Sequence, residues 1–415
     1  MAACSVRQPG PRRGPKSAGE PYSPRERYLA AFSHQEADRV PIDLATSGNF
    51  RFPGEPWQIT PLERVNSVRE IGGDPCLDIW LPEPAFHPDV SVRTGVRKDS
   101  RAQTLYTEYD TPCGTLTQVV RQTADWSNVR DHQLMQPTNL GNGLRHDWKV
   151  HLFDDWNAPR YESAPINTAQ DVDKLAYLLR IPNGPALEKW REEARIVKQW
   201  AAREGLLLRA RRTFGAEAGM WLMRFEDFLL ATLERSDLIA NLLEVVSDWQ
   251  VKRAELALDL GVDVLMHRGY YETPDYFSPT SYRRYCQPLI DRLGSMSRQT
   301  GTRFALQRSE GNTKQIELLR GMPIDILYDV DPGMGGEDLR RLTDELGDQM
   351  TLWGGIDSTL VVNRGSWDDI DHAIHEAMRL CAPGGGFVIM PLAWTEPNIP
   401  FEKVQRTVAA CVQYG

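Results

Sequence analysis

From residue 206 to its end, the sequence alternates six times between a short apolar run and a longer stretch with apolar residues at helical spacing. The runs are 206–214 (LLLRARRTF), 262–267, 303–309, 324–329, 350–355 and 386–393. The stretches between and after them are 226–260, 278–299, 313–320, 336–346, 367–381 and 401–414. Strands joined through a helix pair in parallel, because a tight turn cannot return the chain to the start of the sheet. Ser278-Pro279 supplies a helix start, with Ser at the cap and Pro in the first turn. Two earlier apolar runs, 40–45 (VPIDLA) and 76–81 (CLDIWL), flank a helix-like stretch at 62–71. They bring the strands to eight, the number of a closed (β/α)8 TIM barrel of the α/β class.

Between the second and third of these strands lies an insertion, about 88–185. Residues 90–123 alternate in the β manner around turn signals such as Thr111-Pro112-Cys113-Gly114, so a β-hairpin or small meander is expected there. Residues 124–185 read as irregular, and a helix is expected over 187–203. The insertion is expected to fold over one end of the barrel, with His151, Asp154, Asp155 and Trp156 forming a lid or a solvated loop. Residues 1–23, rich in Pro, Gly, Arg and Ser, read as a disordered tail, and 24–415 as one barrel unit.

Charge and cysteine usage narrow the function classes. The 57 acids against 48 bases give a net charge of -9, and no basic stripe interrupts them, which argues against a nucleic-acid partner. No apolar run reaches the ~18 residues of a membrane span. The N-terminus lacks the apolar core of a secretory signal, so a cytoplasmic protein is expected. The six cysteines include no C-x-x-C pair, which gives no support to a zinc ribbon or thioredoxin-like site. Neither Gly333-Met334-Gly335-Gly336 nor Gly384-Gly385-Gly386 has the context of a dinucleotide fingerprint, and both read as turns.

In a β/α barrel the chemistry sits where strands end and βα loops begin. The rule selects Arg211, Arg212 and Glu217, then His267, Arg268, Tyr270, Tyr271 and Glu272, then Gln307, Arg308, Ser309 and Glu310, then Tyr328, Asp329 and Asp331, then Gly354, Gly355 and Asp357, and finally Trp394, Thr395 and Glu396. Arginine forks at successive strand ends suit a planar anion, although each Arg could equally pair with a rim acid. His267 with Glu272 or Glu310 could form an acid–base pair, or be a satisfied rim histidine. Asp78 stands alone between Leu77 and Ile79, so it faces away from them. It could act as a general base, hold a cation, or serve a structural hydrogen bond.

Several motifs resemble the uroporphyrinogen decarboxylase superfamily. Asp38-Arg39-Val40-Pro41 resembles its entry to strand one, and Thr111-Pro112-Cys113-Gly114-Thr115 resembles a hairpin of its methyltransferase-like and uncharacterised branches. Gly354-Gly355-Ile356-Asp357 resembles its strand seven, and Gly384-Gly385-Gly386-Phe387 its closing strand. The resemblance spans about 24–415 and implies a (β/α)8 barrel with one of two chemistries. The decarboxylases use an Arg-Gln-Ala-Gly-Arg loop after strand one. Here that stretch, Thr46 to Phe52, holds only Arg51. Asp78 falls where they carry their essential Asp. The corrinoid methyltransferases that activate thiols bind zinc through His-x-Cys at strand five and a later Cys. Here the pair is Gln307 and Ser309, and no Cys lies in 391–396. Amide and hydroxyl groups are poor zinc ligands, so no thiolate zinc site is expected.

The expectation that follows is a methyltransferase or demethylase. It would move a methyl group from a small methylated compound to a corrinoid on a separate protein, with no cofactor bound tightly. Asp78, His267, Tyr271 and Glu310 are its expected catalytic residues. Arg51, Arg211, Arg268, Gln307, Arg308, Ser309, Asp329 and Trp394 are expected to bind substrate. The alternative is a cofactor-free, uroporphyrinogen decarboxylase-like carboxy-lyase, and the third is a non-catalytic barrel binding a small ligand. A homodimer stays open.

Overall fold

The computed structural model describes residues 21–44, 50, 52–54, 61–98, 103–122, 152–153, 160–396 and 399–415. Residues 1–20, Arg51, His151, Asp154, Asp155 and Trp156 lie outside them.

Among the described residues, seven strands form one curled parallel sheet: β1 (Cys76–Trp80), β6 (Leu207–Phe214), β7 (Val264–Arg268), β8 (Arg303–Gln307), β9 (Ile326–Val330), β10 (Thr351–Gly354) and β11 (Phe387–Ile389), neighbours in that order. Of the run expected as the first strand, 40–45, the described residues 40–44 contribute one parallel bridge, Ile42 to Ile389. Ile42 O also accepts the Asp74 N–H at 2.8 Å, just ahead of β1. A second sheet is antiparallel and lies in sequence between β1 and β6: β2 (Ser91–Lys98), β3 (Gln103–Thr111), β4 (Gly114–Gln122) and β5 (Tyr161–Ser163).

The helices break where local chemistry requires it. The expected helix 278–299 is two, Pro279–Tyr285 and Gln287–Thr300, because Pro288, in the first turn of the second helix, brings no N–H to carry the ladder on past Cys286. The expected 226–260 is likewise Phe225–Glu234 and Ser236–Leu260, with Arg235 leaving helical geometry between them. β11 ends at Ile389, short of the expected 393, since Pro391 offers no donor to a ladder.

The period of two along each strand sorts side chains onto two faces. Leu77, Ile79, Leu208, Ala210, Leu265, Phe304, Leu306 and Leu327 pack outward against the helices. Cys76, Leu207, Val264, Met266, Ala305, Ile326, Tyr328, Trp353 and Val388 pack on the concave face. The helix Pro24–Ala31, capped by Ser23 and Glu26 in a reciprocal capping box, brings Tyr28 to that inner group. The Tyr28 ring stacks on Trp353 at 5.0 Å, and its hydroxyl donates to Asp74 O at 2.8 Å. Each of these large side chains is buried, and each such burial stabilises by about 1.5–3 kcal/mol.

Candidate active site

The inward parity carries polar residues wherever the strands approach their C-terminal ends. On β1 the inward positions are Cys76, Asp78 and Trp80, and on β6 they are Leu207, Arg209 and Arg211, since these pairs lie side by side in register. Arg209 clasps Asp78 with two bonds, Nε to Oδ1 at 2.7 Å and Nη2 to Oδ2 at 3.1 Å. Its Nη1 reaches Asp43 at 3.2 Å, which also accepts the Trp353 indole N–H at 3.1 Å. Arg211 adds a third bond to Asp78 at 3.3 Å. Burial pushes the Asp78 pKa up, but the charges of Arg209 and Arg211 outweigh it and hold the group below the usual carboxylate value. Asp78 is therefore an ionised, triply bonded anchor.

Above this floor the bonds run in one direction. Arg211 Nη2 donates to Gln307 Oε1 at 3.3 Å, so Gln307 turns its amide nitrogen the other way and donates to Tyr270 Oη at 2.6 Å. Arginine has no acceptor, and this fixes the amide orientation. The Tyr270 hydroxyl then has Asp329 Oδ2 as the place to send its proton. Burial raises the Asp329 pKa, against the lowering effect of Tyr270, Arg211, Trp394 and Gln307 around it. Burial and the Asp329 charge raise Tyr270 well above an ordinary phenol. Asp329 sits at φ 74, a left-handed conformation that costs a residue with a side chain about 1–2 kcal/mol. That backbone kink sets the Asp329 carboxylate beside Tyr270. Trp394, 38% exposed, closes the rim with its ring edge-on to Tyr270 at 5.8 Å.

A second polar group backs the mouth at the ends of β6 and β7. His267 faces outward, fully buried, with Nε2 3.2 Å from Glu272 Oε2 and Nδ1 3.4 Å from Thr213 Oγ1. Glu272 accepts the Ala216 N–H at 2.7 Å through its other oxygen. Arg268 faces inward, two residues beyond Met266, with its guanidinium 5.0 Å from the Trp221 ring and 5.1 Å from the Tyr270 ring. Its Nη1 lies 3.6 Å from Oε1 of the buried Glu217. Burial pushes the Glu217 pKa up to about 7.

The structure thus brings Asp78, Arg211, Gln307, Asp329, Arg268 and Trp394 to one mouth. Other expected site residues lie elsewhere. Arg308 points outward, where it is buried and donates to Asn312 Oδ1 at 3.0 Å, Gln315 Oε1 at 2.7 Å and Glu272 O at 2.9 Å. Ser309 is half-buried and its carbonyl faces the Asp331 N–H at 3.4 Å. Glu310 is half-buried, its pKa raised by burial and by Asp275, with Lys314, Glu337 and Arg308 as its other charged neighbours. Tyr271 turns from the mouth to pack on Tyr276 at 5.8 Å and Phe225 at 6.3 Å. His267 pairs with Glu272, not with Glu310. Sequence reasoning passes over Asp43 and Arg209, and it counts Glu217 and Tyr270 among the strand-end candidates without giving either a role. Extending the parity of β7 from Met266 through Arg268 would have selected Tyr270 over Tyr271.

Among the described residues, no group of three or more His, Cys, Asp or Glu is placed to share a metal ion. Gln307 already uses both ends of its amide, on Arg211 and Tyr270. The residues at this strand end do not fit a thiolate zinc centre.

The family model for uroporphyrinogen decarboxylase (URO-D) matches residues 149–414. The methylcobamide:CoM methyltransferase MtaA of Methanosarcina barkeri is 22% identical over 201 residues, which are 46% of this chain and 54% of that protein. The chain thus spans about half the length of that curated relative. Among solved structures, a methyltransferase from Methanosarcina mazei superimposes with a TM-score of 0.56 at 16% identity, covering 95% of this chain and 99% of its own. At that identity the likeness shows the fold alone.

Proposed function

Because the chain belongs to the uroporphyrinogen decarboxylase (URO-D) family, we propose that its mouth carries out methyl transfer from a small methylated compound. The observation that carries the reading is the one-way chain of donors from Arg211, itself held by Asp78, through Gln307 and Tyr270 to Asp329. Demethylation needs a proton delivered to the departing heteroatom, and a Tyr–carboxylate pair with a raised carboxyl pKa is suited to that task. The likeness to MtaA supports a corrinoid acceptor carried on a separate protein. Such a carrier, when docked, supplies the nucleophile that takes the methyl group.

The chain's own residues do the rest. Trp394 and Tyr270 offer ring faces that pack the methylated group and keep water away. As the carbon–heteroatom bond breaks, its electron pair stays on the heteroatom, which takes the Tyr270 hydroxyl proton. Gln307 steadies the phenolate oxygen through its N–H, and Asp329, which accepts the Tyr270 hydrogen bond as a carboxylate in the resting site, takes up a proton from solvent and passes it to that oxygen. Arg211 holds Gln307 in register and is itself fixed by Asp78. The same reading takes residues 41–44 as the eighth strand that closes the barrel between β11 and β1.

A second reading rests on Asp78, held ionised by Arg209 and Arg211, as the group that stabilises positive charge in a cofactor-free decarboxylase. Its weakness is the supply of cations for a poly-acidic substrate: Arg308 is turned outward and Arg209 is sealed in the floor. The test is anaerobic incubation with cob(I)alamin and a panel of O-, N- and S-methylated compounds, followed by absorbance. Methylcobalamin formation is the expected result. Carbon dioxide release from uroporphyrinogen with no methyl transfer would favour the second reading. A small ligand bound tightly with neither reaction would make the barrel a binding protein.

A further inference from the structure

Behind the mouth, the outward face of the β8 end carries a buried cation unlike the one in the floor. Arg209 is paired with two carboxylates. Arg308 is fully buried, yet its three hydrogen bonds all go to neutral oxygens: Asn312 Oδ1 at 3.0 Å, Gln315 Oε1 at 2.7 Å and Glu272 O at 2.9 Å. The neighbouring acids are committed elsewhere. The Glu272 carboxylate faces the Ala216 N–H and His267. The Glu337 carboxylate takes the N–H groups of Asn312 and Thr313 and the Thr313 hydroxyl. Glu310 is half-buried and feels Arg308 less than it feels Asp275, Lys314 or Glu337. Four polar groups around this guanidinium have no hydrogen-bond partner among the described residues: Arg308 Nη2, Gln315 Nε2, the Tyr282 hydroxyl and the Thr273 hydroxyl. All four belong to buried side chains. Gln315 is bonded to Arg308 itself, and Thr273 follows the residue whose carbonyl takes Nη1. The Tyr282 ring centroid lies 5.9 Å from the guanidinium carbon.

We propose that Arg308 holds a monovalent inorganic anion, a halide, at Nη2, and that Gln315, Tyr282 and Thr273 supply its further donors. The sign of the groups selects the ligand. Arg308 Nη2 can only donate, and so can Gln315 Nε2, because Gln315 has turned its oxygen to Nη1. Both hydroxyls can donate as well. A water molecule would accept some of these bonds but would leave the charge uncompensated, and an unpaired buried cation is costly. The face of the Tyr282 ring offers a quadrupole and no countercharge. One negative charge neutralises one guanidinium, whereas a dianion such as sulfate would leave a buried charge of the opposite sign. The donors come from the end of β8, the short helix Thr313–Gln315, the loop after β7 and the helix Pro279–Tyr285. The ion thus ties four segments together directly behind Gln307, whose amide orients the Tyr270 hydroxyl.

The experiment is urea unfolding of the full chain in sodium gluconate, with chloride or bromide replacing gluconate up to about 0.2 M at fixed ionic strength, so that screening stays constant. Unfolding and refolding in each salt lets a sealed site exchange its ion. The midpoint is expected to rise with either halide and to saturate. At about a hundred times Kd, the unfolding equilibrium constant falls about a hundredfold. Tyr282→Phe and Thr273→Val keep the cation and the side-chain size and each remove one hydroxyl. Each is expected to weaken halide binding by about tenfold or more. Arg308→Met should lose the dependence altogether. Crystals grown in bromide should show anomalous scattering in contact with Arg308 Nη2. A midpoint indifferent to halide, a dependence unchanged in both hydroxyl variants, or bromide found only at the surface would overturn the inference and leave the donors to water. If Arg308→Met fails to fold in every salt, the two hydroxyl variants and the bromide position still decide. No substrate enters these measurements, so the halide site and the methyl-transfer reading stand or fall separately.

Discussion

Gln307 donates through its amide nitrogen to the phenolic oxygen of Tyr270 at 2.6 Å, and so leaves that phenol one direction in which to donate, toward Asp329. The orientation is imposed from below, because Arg211 can only donate to the other end of the same amide. A polar side chain on β8 thereby sets the proton position on a loop after β7.

Removing the hydroxyl tests this relay. Tyr270→Phe keeps the ring against Trp394 and Arg268 and deletes the proton donor. Turnover in methyl transfer to cob(I)alamin is expected to fall by about 10²–10⁴, the usual range for a positioned acid. Stability should fall by only about 1.5–3 kcal/mol, from the hydrogen bond lost to a buried carboxylate. Steady-state kinetics beside a urea titration separates the two, and a loss of turnover no larger than the loss of folded protein would make Tyr270 structural.

Arg209 and Arg211 differ by two residues on one face of β6 and should respond differently. Arg209→Met takes two of its three bonds from Asp78 and removes the buried guanidinium beside Asp43, and breaking a buried ion pair from one side costs about 3–5 kcal/mol. Arg211→Met leaves Asp78 with both of its Arg209 bonds, so the stability loss is smaller, while Gln307 loses the donor that orients it. The expected result is a poorly folded Arg209 variant and a folded Arg211 variant with reduced kcat. Equal melting temperatures for the two would contradict this division.

How much of this was legible in advance follows from strand parity. The strand–helix alternation after residue 206 marks a parallel sheet because the apolar runs are too short for helices and too far apart for hairpins. Asp78 announces the inward face of β1 by being the lone charge in CLDIW. Parity cannot be carried across a loop without knowing where a strand bulges, so Arg308 and Gln307 looked equivalent in sequence although they face opposite ways. The pairing of β6 with β7 shifts register between Ala210 and Thr213, which places His267 outward beside Thr213. Pairs such as Glu217 with Arg268 join residues about 50 apart in the chain, and no local pattern encodes them.

Asp329 offers a test that separates chemistry from backbone strain. Asparagine tolerates φ 74 at least as well as aspartate, and glycine better than either. Asp329→Asn should keep the fold, still accept a bond from Tyr270, and lose most turnover because an amide holds no exchangeable acid proton. Asp329→Gly should melt at or above the temperature of Asp329→Ala, since alanine keeps the strain and loses every bond. Circular dichroism melts of the three variants check the order, and an active Asp329→Asn enzyme would remove Asp329 from the relay.

The pH dependence of stability bears on Glu217 independently of any ligand. Its ordinary value is 4.5, and in the folded chain burial lifts it to about 7. A carboxyl with a raised folded pKa binds its proton more tightly when folded. Its contribution is therefore fully present below the unfolded value and is lost as pH rises through the folded one. Between pH 4.5 and 7 the loss amounts to about 3 kcal/mol. Glu217→Gln cannot titrate, and differences between variant and wild type cancel the other acids that change in the same window. The variant should therefore gain on the wild type steadily from pH 5 to 7, and the gap should level off above that. Guanidinium titrations of both proteins at pH 5, 6, 7 and 8 measure it. A gap that stays constant would mean that Glu217 is already ionised at pH 5 and is held so by Arg268.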